Sequence, residues 1–166
     1  MRMGRCKNMK TVFETENIIF VEVAETLIDD YLKMINDPEV ARLLGRTKTV
    51  TKEDDIIWVK EKLDEKAPVF SMIEKNSGKF IGNIELMDVK GSEAELGITI
   101  TPDMQDKGYG SEAIPAIIRH GMDDLKLDRV FLRAFPDNYR AIHVYEKCGF
   151  HEYGRTDEDV LMEITR

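Results

Sequence analysis

Residues 93–125, EAELGITITPDMQDKGYGSEAIPAIIRHGMDDL, decide the fold of this 166-residue chain. The first eight residues alternate between apolar and polar side chains, beginning with Glu93, Ala94, Glu95 and Leu96, which is the period of a β-strand. After the loop at 105–110, QDKGYG, apolar residues recur three and four positions apart, as on one face of a helix. The segment therefore predicts a strand, a glycine-rich loop and an amphipathic helix in direct succession.

The loop has the features of an anion-binding site. Backbone N–H groups at the start of a helix lack intrahelical acceptors, and the helix dipole places partial positive charge there. Gly108 and Gly110 remove side chains that would block a phosphate group. Lys107 adds a cation, and Ser111 adds a hydroxyl donor. We therefore predict that the loop binds a phosphate-containing ligand.

Several phosphate ligands have to be compared. The P-loop pattern fails because no Gly-Lys-Ser/Thr follows the first glycine. Residues 108–113, GYGSEA, do fit the dinucleotide pattern G-x-G-x-x-A, and Asp128 lies near the expected acidic position. However, that acidic residue should end the next strand, whereas Asp128 precedes its strand. The loop residues alone also leave a second interpretation open, in which the segment is a glycine-rich turn that binds no ligand.

The flanking sequence predicts an α+β fold with a mixed, mostly antiparallel central sheet flanked by helices. A strand at 18–23 and two helices precede an antiparallel meander, and Arg129–Phe135 reads as a buried central strand. A second amphipathic helix covers 138–148, and 160–164 can form a last strand. No repeat or linker divides the chain. We therefore expect a flexible leader at 1–11, with no signal peptide, and one domain at 12–166.

Composition excludes some functions. Acidic residues outnumber basic ones by 32 to 24, for a formal net charge of −8. This argues against nonspecific nucleic-acid binding and is compatible with a cationic small molecule or basic peptide, although plain solubility explains it too. No apolar run approaches the roughly 18 residues of a membrane span. Cys6 and Cys148 form no disulfide framework, which favours the cytoplasm, and the three histidines lack metal-ligand spacing.

Two motifs together resemble the GNAT acetyltransferase superfamily. Gln105-x-x-Gly108-x-Gly110 matches its Q/R-x-x-G-x-G/A loop. About thirty residues later, 138–150 (NYRAIHVYEKCGF) is similar to its N-x-x-A-x-x-x-Y-x-K-x-G-F segment. The order of elements is also that of the family. The segment 18–63 looks most like the branch of ribosomal-protein and spermidine N-acetyltransferases. The resemblance implies a GNAT-like acyl-CoA acyltransferase fold with acetyl-CoA as acetyl donor.

The resemblance also implies roles for particular residues. Asn138 would bind the cofactor near its pantetheine or thiol end, and Tyr145 would lie beside the sulfur as general acid for the departing thiolate. The strand before the loop would pair with the pantetheine arm, and the loop amides would hold the pyrophosphate. These remaining cofactor-binding candidates are Ile98, Thr99, Ile100, Gln105, Asp106, Lys107, Gly108, Tyr109, Gly110 and Ser111.

The acceptor amine must lose a proton before it attacks the thioester. Glu95 and Glu85 are candidates for the general base; either could instead bind a cationic substrate or be a solvated strand carboxylate. The predicted reaction is acetyl transfer to a primary amine, with a polyamine or other small cationic amine as acceptor. A protein N-terminus as acceptor and a non-catalytic acyl-CoA-binding module are the alternatives. Family analogy also implies self-association as a homodimer.

Overall fold

A computed structural model describes residues 9–166, so most of the predicted leader, with Cys6, lies outside the described residues. Thr11, also assigned to that leader, begins the first strand. Contacts within the chain group its residues into two compact units. The first contains the described residues up to Ile84 together with Ile98–Tyr109, and the second contains Glu85–Gly97 and Gly110–Arg166. The flexible leader and the single domain at 12–166 stay predictions.

The described residues form eight strands and five α-helices, which confirms the predicted α+β class. The sheet order is β1-β2-β3-β4-β5-β6-β8-β7. β5 pairs with β6 in parallel, whereas β1–β2, β2–β3, β6–β8 and β7–β8 are antiparallel. The strands are β1 Thr11–Glu14, β2 Ile18–Glu22, β3 Val69–Glu74, β4 Phe80–Lys90, β5 Glu93–Ile100, β6 Arg129–Ala134, β7 His151–Arg155 and β8 Val160–Thr165. The helices are α1 Ile28–Ile35, α2 Pro38–Leu43, α3 Lys52–Asp64, α4 Tyr109–Asp123 and α5 Tyr139–Lys147.

The first unit has one more helix than the sequence predicts. The pair Asp37-Pro38 does follow the end of α1, but it also begins α2. The Asp37 carboxylate accepts hydrogen bonds from the N–H groups of Glu39 and Val40, both at 3.1 Å. Proline suits the first helical position because no intrahelical acceptor is available there. The same two residues thus follow one helix and begin the next.

The core of the first unit lies between its helices and strands. Buried apolar side chains from β2, β3, α1 and α3 share one cluster, which includes Val21, Tyr31, Met34, Val59 and Ile73. A capping box fixes the start of α3: Thr51 N donates to Asp54 Oδ2 at 2.9 Å, and Asp54 N donates to Thr51 Oγ1 at 3.2 Å.

The second unit corrects one expectation. β6 was predicted to be buried on both faces, but only its alternate residues Val130, Leu132 and Ala134 are buried. Arg129 and Arg133, on the other face, carry guanidinium groups that must reach water or a carboxylate. The prediction of a fully buried strand was wrong because Phe131, although apolar, is only half-buried and lies on the polar face of β6.

A close backbone approach in the first unit fixes the end of β5. A Cβ at Gly82 would lie 2.0 Å from the carbonyl oxygen of Thr99, so only glycine fits. Thr101 N donates to Ile81 O at 2.9 Å. These contacts hold the last residues of β5 against the beginning of β4, next to the predicted cofactor loop.

Candidate functional site

The last part of β5 offers an unusual stretch of backbone. The ladder between β5 and β6 pairs only Glu93–Glu95 with Arg129–Phe131, yet β5 continues to Ile100. Thr101 N and Thr99 O both point toward β4. Because backbone groups alternate along a strand, the N–H and C=O of Ile98 and Ile100 point the opposite way. The Gln105 side chain donates to Ile100 O, so the N–H and C=O of Ile98 and the N–H of Ile100 remain for pairing with an extended ligand.

Gln105 braces the loop that follows β5. Its side-chain Nε2 donates to Ile100 O at 2.9 Å, and its backbone N–H donates to Pro102 O at 3.2 Å. The residue was predicted to contribute a backbone amide to the pyrophosphate. The structure gives it a bracing contact, and that amide already has an acceptor.

The remaining loop residues have the backbone features of an anion-binding site. Asp106 and Gly108 have φ values of 60° and 85°, in the left-handed region. No backbone acceptor within residues 9–166 takes the N–H of Lys107 or Gly108. Left-handed residues in such a turn can direct successive amides toward one point as an anion-binding nest, and we use this name for the segment Asp106–Gly108.

The surroundings of the nest also suit a phosphate group. α4 begins at Tyr109, so Gly110 and Ser111 lie in its first turn, where helix amides lack intrahelical acceptors. A Cβ at Gly108 would meet no atom within 4 Å, which leaves the loop open on that side. Lys107 is exposed and adds positive charge. These residues fit a pyrophosphate by the donors they present and by the space above them.

In the second unit, Asn138 has a local structural role that the motif did not reveal. It is the N-cap of α5, and its side-chain oxygen accepts from Ala141 N at 3.4 Å. Within the described residues its Nδ2 group has no hydrogen-bond acceptor. The cap orients the side chain and leaves its two amide protons for a ligand carbonyl.

Tyr145 lies near the end of α5 with 9% of its surface exposed. Its ring packs against Phe150 at 5.9 Å between centroids. Burial, with a smaller contribution from Cys148, raises the pKa of Tyr145 to about 12. Its hydroxyl makes no hydrogen bond to any residue of the described chain. At neutral pH Tyr145 is therefore a protonated phenol whose donor is available.

The two candidate bases, both in the second unit, have different surroundings. Glu95 is buried, and its Oε1 accepts from Arg133 Nε at 3.0 Å. Glu85 is half-buried, and its side chain lies over Gly97, where a Cβ would be 3.3 Å from Glu85 Cγ. The sequence did not reveal Arg133 as a partner, because the pairing depends on the register between β5 and β6.

Two further observations concern the described residues as a whole. No helix within 9–166 has the length and apolar character needed to cross a bilayer. The same residues contain no group of three or more potential metal ligands in one place. The candidate residues are thus backbone amides in the loop after β5 and, in the second unit, one amide side chain, one phenol and two carboxylates.

Known proteins resemble this chain over different lengths. Spermidine N(1)-acetyltransferase of Vibrio cholerae is 31% identical over 93 residues, which cover 55% of this chain and 54% of that protein. The uncharacterized N-acetyltransferase YnaD of Bacillus subtilis is 30% identical over 105 residues, covering 63% and 62%. The chain thus spans less than two thirds of the length of these two curated relatives.

Solved structures show the same fold. The crystal structure of spermidine N-acetyltransferase from Vibrio cholerae in complex with CoA and spermine has a TM-score of 0.80 at 20% identity, covering 91% of this chain and 96% of that one. A GNAT-family acetyltransferase from Bacillus anthracis also has a TM-score of 0.80, at 22% identity, with coverage of 95% and 97%. The family model described as Acetyltransferase (GNAT) domain matches residues 17–151. This match covers most of the sequence, and the chain therefore belongs to the GNAT acetyltransferase family.

Proposed function

We propose that this chain transfers an acetyl group from acetyl-CoA to a primary amine. The observation that carries the proposal is the continuity between the open backbone edge at Ile98–Ile100 and the nest at Asp106–Gly108. Acetyl-CoA has the matching order of groups: an extended arm with two amides, followed by a pyrophosphate. The arm would pair with Ile98 and Ile100, and the pyrophosphate would accept from Lys107 and Gly108. GNAT acetyltransferases use acetyl-CoA as donor.

Tyr145 would act at the sulfur. Bound acetyl-CoA supplies a thioester and a thiolate leaving group. The Tyr145 phenol, with a pKa of about 12, stays protonated and can donate to that sulfur. A thiol has a pKa near 8.5, so complete proton transfer from this phenol would be uphill by roughly 5 kcal/mol. Tyr145 would therefore stabilise the developing thiolate chiefly as a hydrogen-bond donor. Over the whole reaction, the amine releases one proton and the thioester releases one thiolate, so the charges balance.

Asn138 would orient the donor. Its oxygen is engaged in capping α5, so only its Nδ2 protons remain for the carbonyl oxygens of the pantetheine arm. A helix N-cap is a rigid position, and a donor fixed there loses little side-chain freedom on binding. We therefore propose Asn138 as a positioning residue for the cofactor.

Of the two candidate bases, Glu85 is the better assignment. The buried Glu95 carboxylate is already paired with the Arg133 guanidinium, so one of its oxygens is engaged in a structural contact. Glu85 is half-buried, and its side chain lies against Gly97, the residue that precedes Ile98. We propose that Glu85 receives the amine proton, directly or through water, and that Glu95 with Arg133 stabilises the β5–β6 pairing.

A small cationic amine is the proposed acceptor. The net charge of −8 favours cations near the protein surface, and a relative at 31% identity is a spermidine N(1)-acetyltransferase. The Nα amine of a protein is the alternative acceptor. Self-association, for which the edge strands β1 and β7 are candidates, stays a prediction.

A thiol-release assay with acetyl-CoA and a panel of amines tests the proposal. The panel contains spermidine, a basic peptide with a free N-terminus and a neutral amino acid. Permethylated spermidine serves as the matched control because it has no primary amine. We expect the highest kcat/KM with spermidine and no turnover with the control. If CoA binds but no amine releases thiol, the chain is a binding module and the proposal is wrong.

A further inference from the structure

The turn between β3 and β4 holds a carboxylate in a fixed orientation. Glu74 N donates to Lys79 O at 2.9 Å, and Gly78 N donates to Glu74 O at 2.9 Å. Ser77 Oγ donates to Glu74 Oε1 at 2.7 Å, while Lys79 N donates to Ser77 Oγ at 3.2 Å. One oxygen of the Glu74 carboxylate is therefore fixed by its own turn.

The other oxygen of this carboxylate binds the cofactor loop. The Tyr109 hydroxyl donates to Glu74 Oε2, thirty-five positions away in the sequence. Tyr109 is the first residue of α4 and stands between Gly108 and Gly110. Both partners of this hydrogen bond belong to the first unit. It connects a rigid turn directly to the loop that carries the nest.

The loop has reason to need this restraint. Glycine loses more conformational freedom on ordering than any other residue, and Tyr109 is the one side chain between two glycines. At the other end of the loop, the Gln105 side chain is bonded to Ile100 O. The Tyr109–Glu74 bond supplies the second attachment, so the nest at Lys107 and Gly108 lies between two fixed points.

The charge of Glu74 is compatible with a nearby anion site. The hydrogen bond from Tyr109, followed by that from Ser77 and the charges of Lys107 and Lys79, lowers the pKa of Glu74. The carboxylate is thus ionised at neutral pH, a state in which it accepts strongly from the phenol. The two lysines offset its repulsion of a phosphate, and both of its oxygens are already engaged.

We propose that Glu74 is a positioning residue for the anion-binding loop: its carboxylate fixes Tyr109 and thereby holds the loop amides in the arrangement that receives CoA. The inference rests on the proposed function, since it takes the loop to be the CoA site. A preorganised loop loses less freedom on binding than a mobile one, so the hydrogen bond contributes to affinity without touching the ligand.

A double-mutant cycle tests this role, with Glu74→Ala, Tyr109→Phe and the double variant. The dissociation constant of CoA is measured by calorimetry, and the KM for acetyl-CoA by thiol release. We expect each single variant to weaken CoA binding by about fivefold to twentyfold. Each should also raise the KM for acetyl-CoA by a larger factor than it lowers kcat. The double variant should bind about as weakly as the weaker single variant, because both changes break one interaction.

Two more variants separate positioning from general damage. Glu74→Gln keeps an oxygen that accepts from Tyr109, so it should recover part of the lost affinity. Glu14→Ala removes the same charge from an exposed ion pair with Lys75 and should leave CoA binding unchanged. Tyr109→Phe keeps its ring, so its unfolding temperature without ligand should stay close to that of the unaltered chain.

The results that overturn the inference are distinct from those that overturn the function. CoA affinities within twofold of the unaltered chain, or effects that add fully in the double variant, would show that Glu74 does not act through Tyr109. No CoA binding by the unaltered chain would instead refute the proposed function, and this inference with it.

Discussion

Replacing Tyr145 by phenylalanine removes one hydroxyl from the candidate active site and leaves the aromatic ring in place. The ring keeps its contact with Phe150, and the hydroxyl has no hydrogen-bond partner within residues 9–166. We therefore expect the free energy of unfolding to change by about 0.5 kcal/mol or less. An effect on catalysis would then belong to the reaction and not to the fold.

The size of the kinetic effect follows from the role assigned to the phenol. A hydrogen bond to a charged group contributes about 1.5–3 kcal/mol, so Tyr145→Phe should lower kcat by about 10- to 150-fold. Complete proton transfer by a general acid contributes up to about 10⁴-fold, so a loss above about 10³-fold would favour that role instead. The affinity for CoA should change little.

The assay measures thiol release at saturating acetyl-CoA and amine, with CoA binding measured by calorimetry. Tyr153→Phe is the matched control, because that tyrosine lies in β7 with 43% of its surface exposed. A kcat within about threefold of the unaltered chain, or a parallel loss of CoA affinity, would show that Tyr145 is a packing residue.

Three further predictions concern pH, the nest and the base. Because the pKa of Tyr145 is raised to about 12, its phenol keeps its proton below that pH. We therefore expect kcat/KM for the amine to rise with pH as the amine loses its proton. A fall in kcat/KM between about pH 7 and 9 would refute the role assigned to Tyr145. Gly108→Ala and Gly91→Ala each place a Cβ in open space at a positive φ. Each should therefore lower the free energy of unfolding by about 1 kcal/mol, measured with denaturant. Only Gly108→Ala should weaken CoA binding in calorimetry. In the thiol-release assay, Glu85→Gln should lower kcat/KM about 10²-fold or more, with the largest effect at low pH. Glu95→Gln should mainly lower the unfolding temperature. The reverse result would make Glu95 the general base.

Local patterns in the sequence predicted the strand, loop and helix that carry the candidate cofactor-binding residues. The alternation in β5, the two glycines and the amphipathic α4 are each short-range signals, and together they identified the strand, loop and helix correctly. The capping box of Thr51 and Asp54 at the start of α3 is another short-range feature. Each depends on residues no more than a few positions apart, so no tertiary information is needed to recognise it.

Contacts between distant residues could not be predicted in this way. Glu95 meets Arg133 only because of the register between β5 and β6, and Glu74 meets Tyr109 only because two loops end at the same place. Gly82 looks like any strand glycine until Thr99 O is found against it. Such contacts are set by sheet order and register, which single-sequence periodicity does not contain.

Mass spectrometry of the acceptor tests the central claim most directly. The unaltered chain is incubated with acetyl-CoA and spermidine, and both the polyamine and the released CoA are quantified. Acetyl transfer predicts a spermidine product heavier by one acetyl group, formed in equal amount to free CoA and absent when the chain is omitted. Free CoA without acetylated spermidine, or no product with any amine of the panel, would contradict the account.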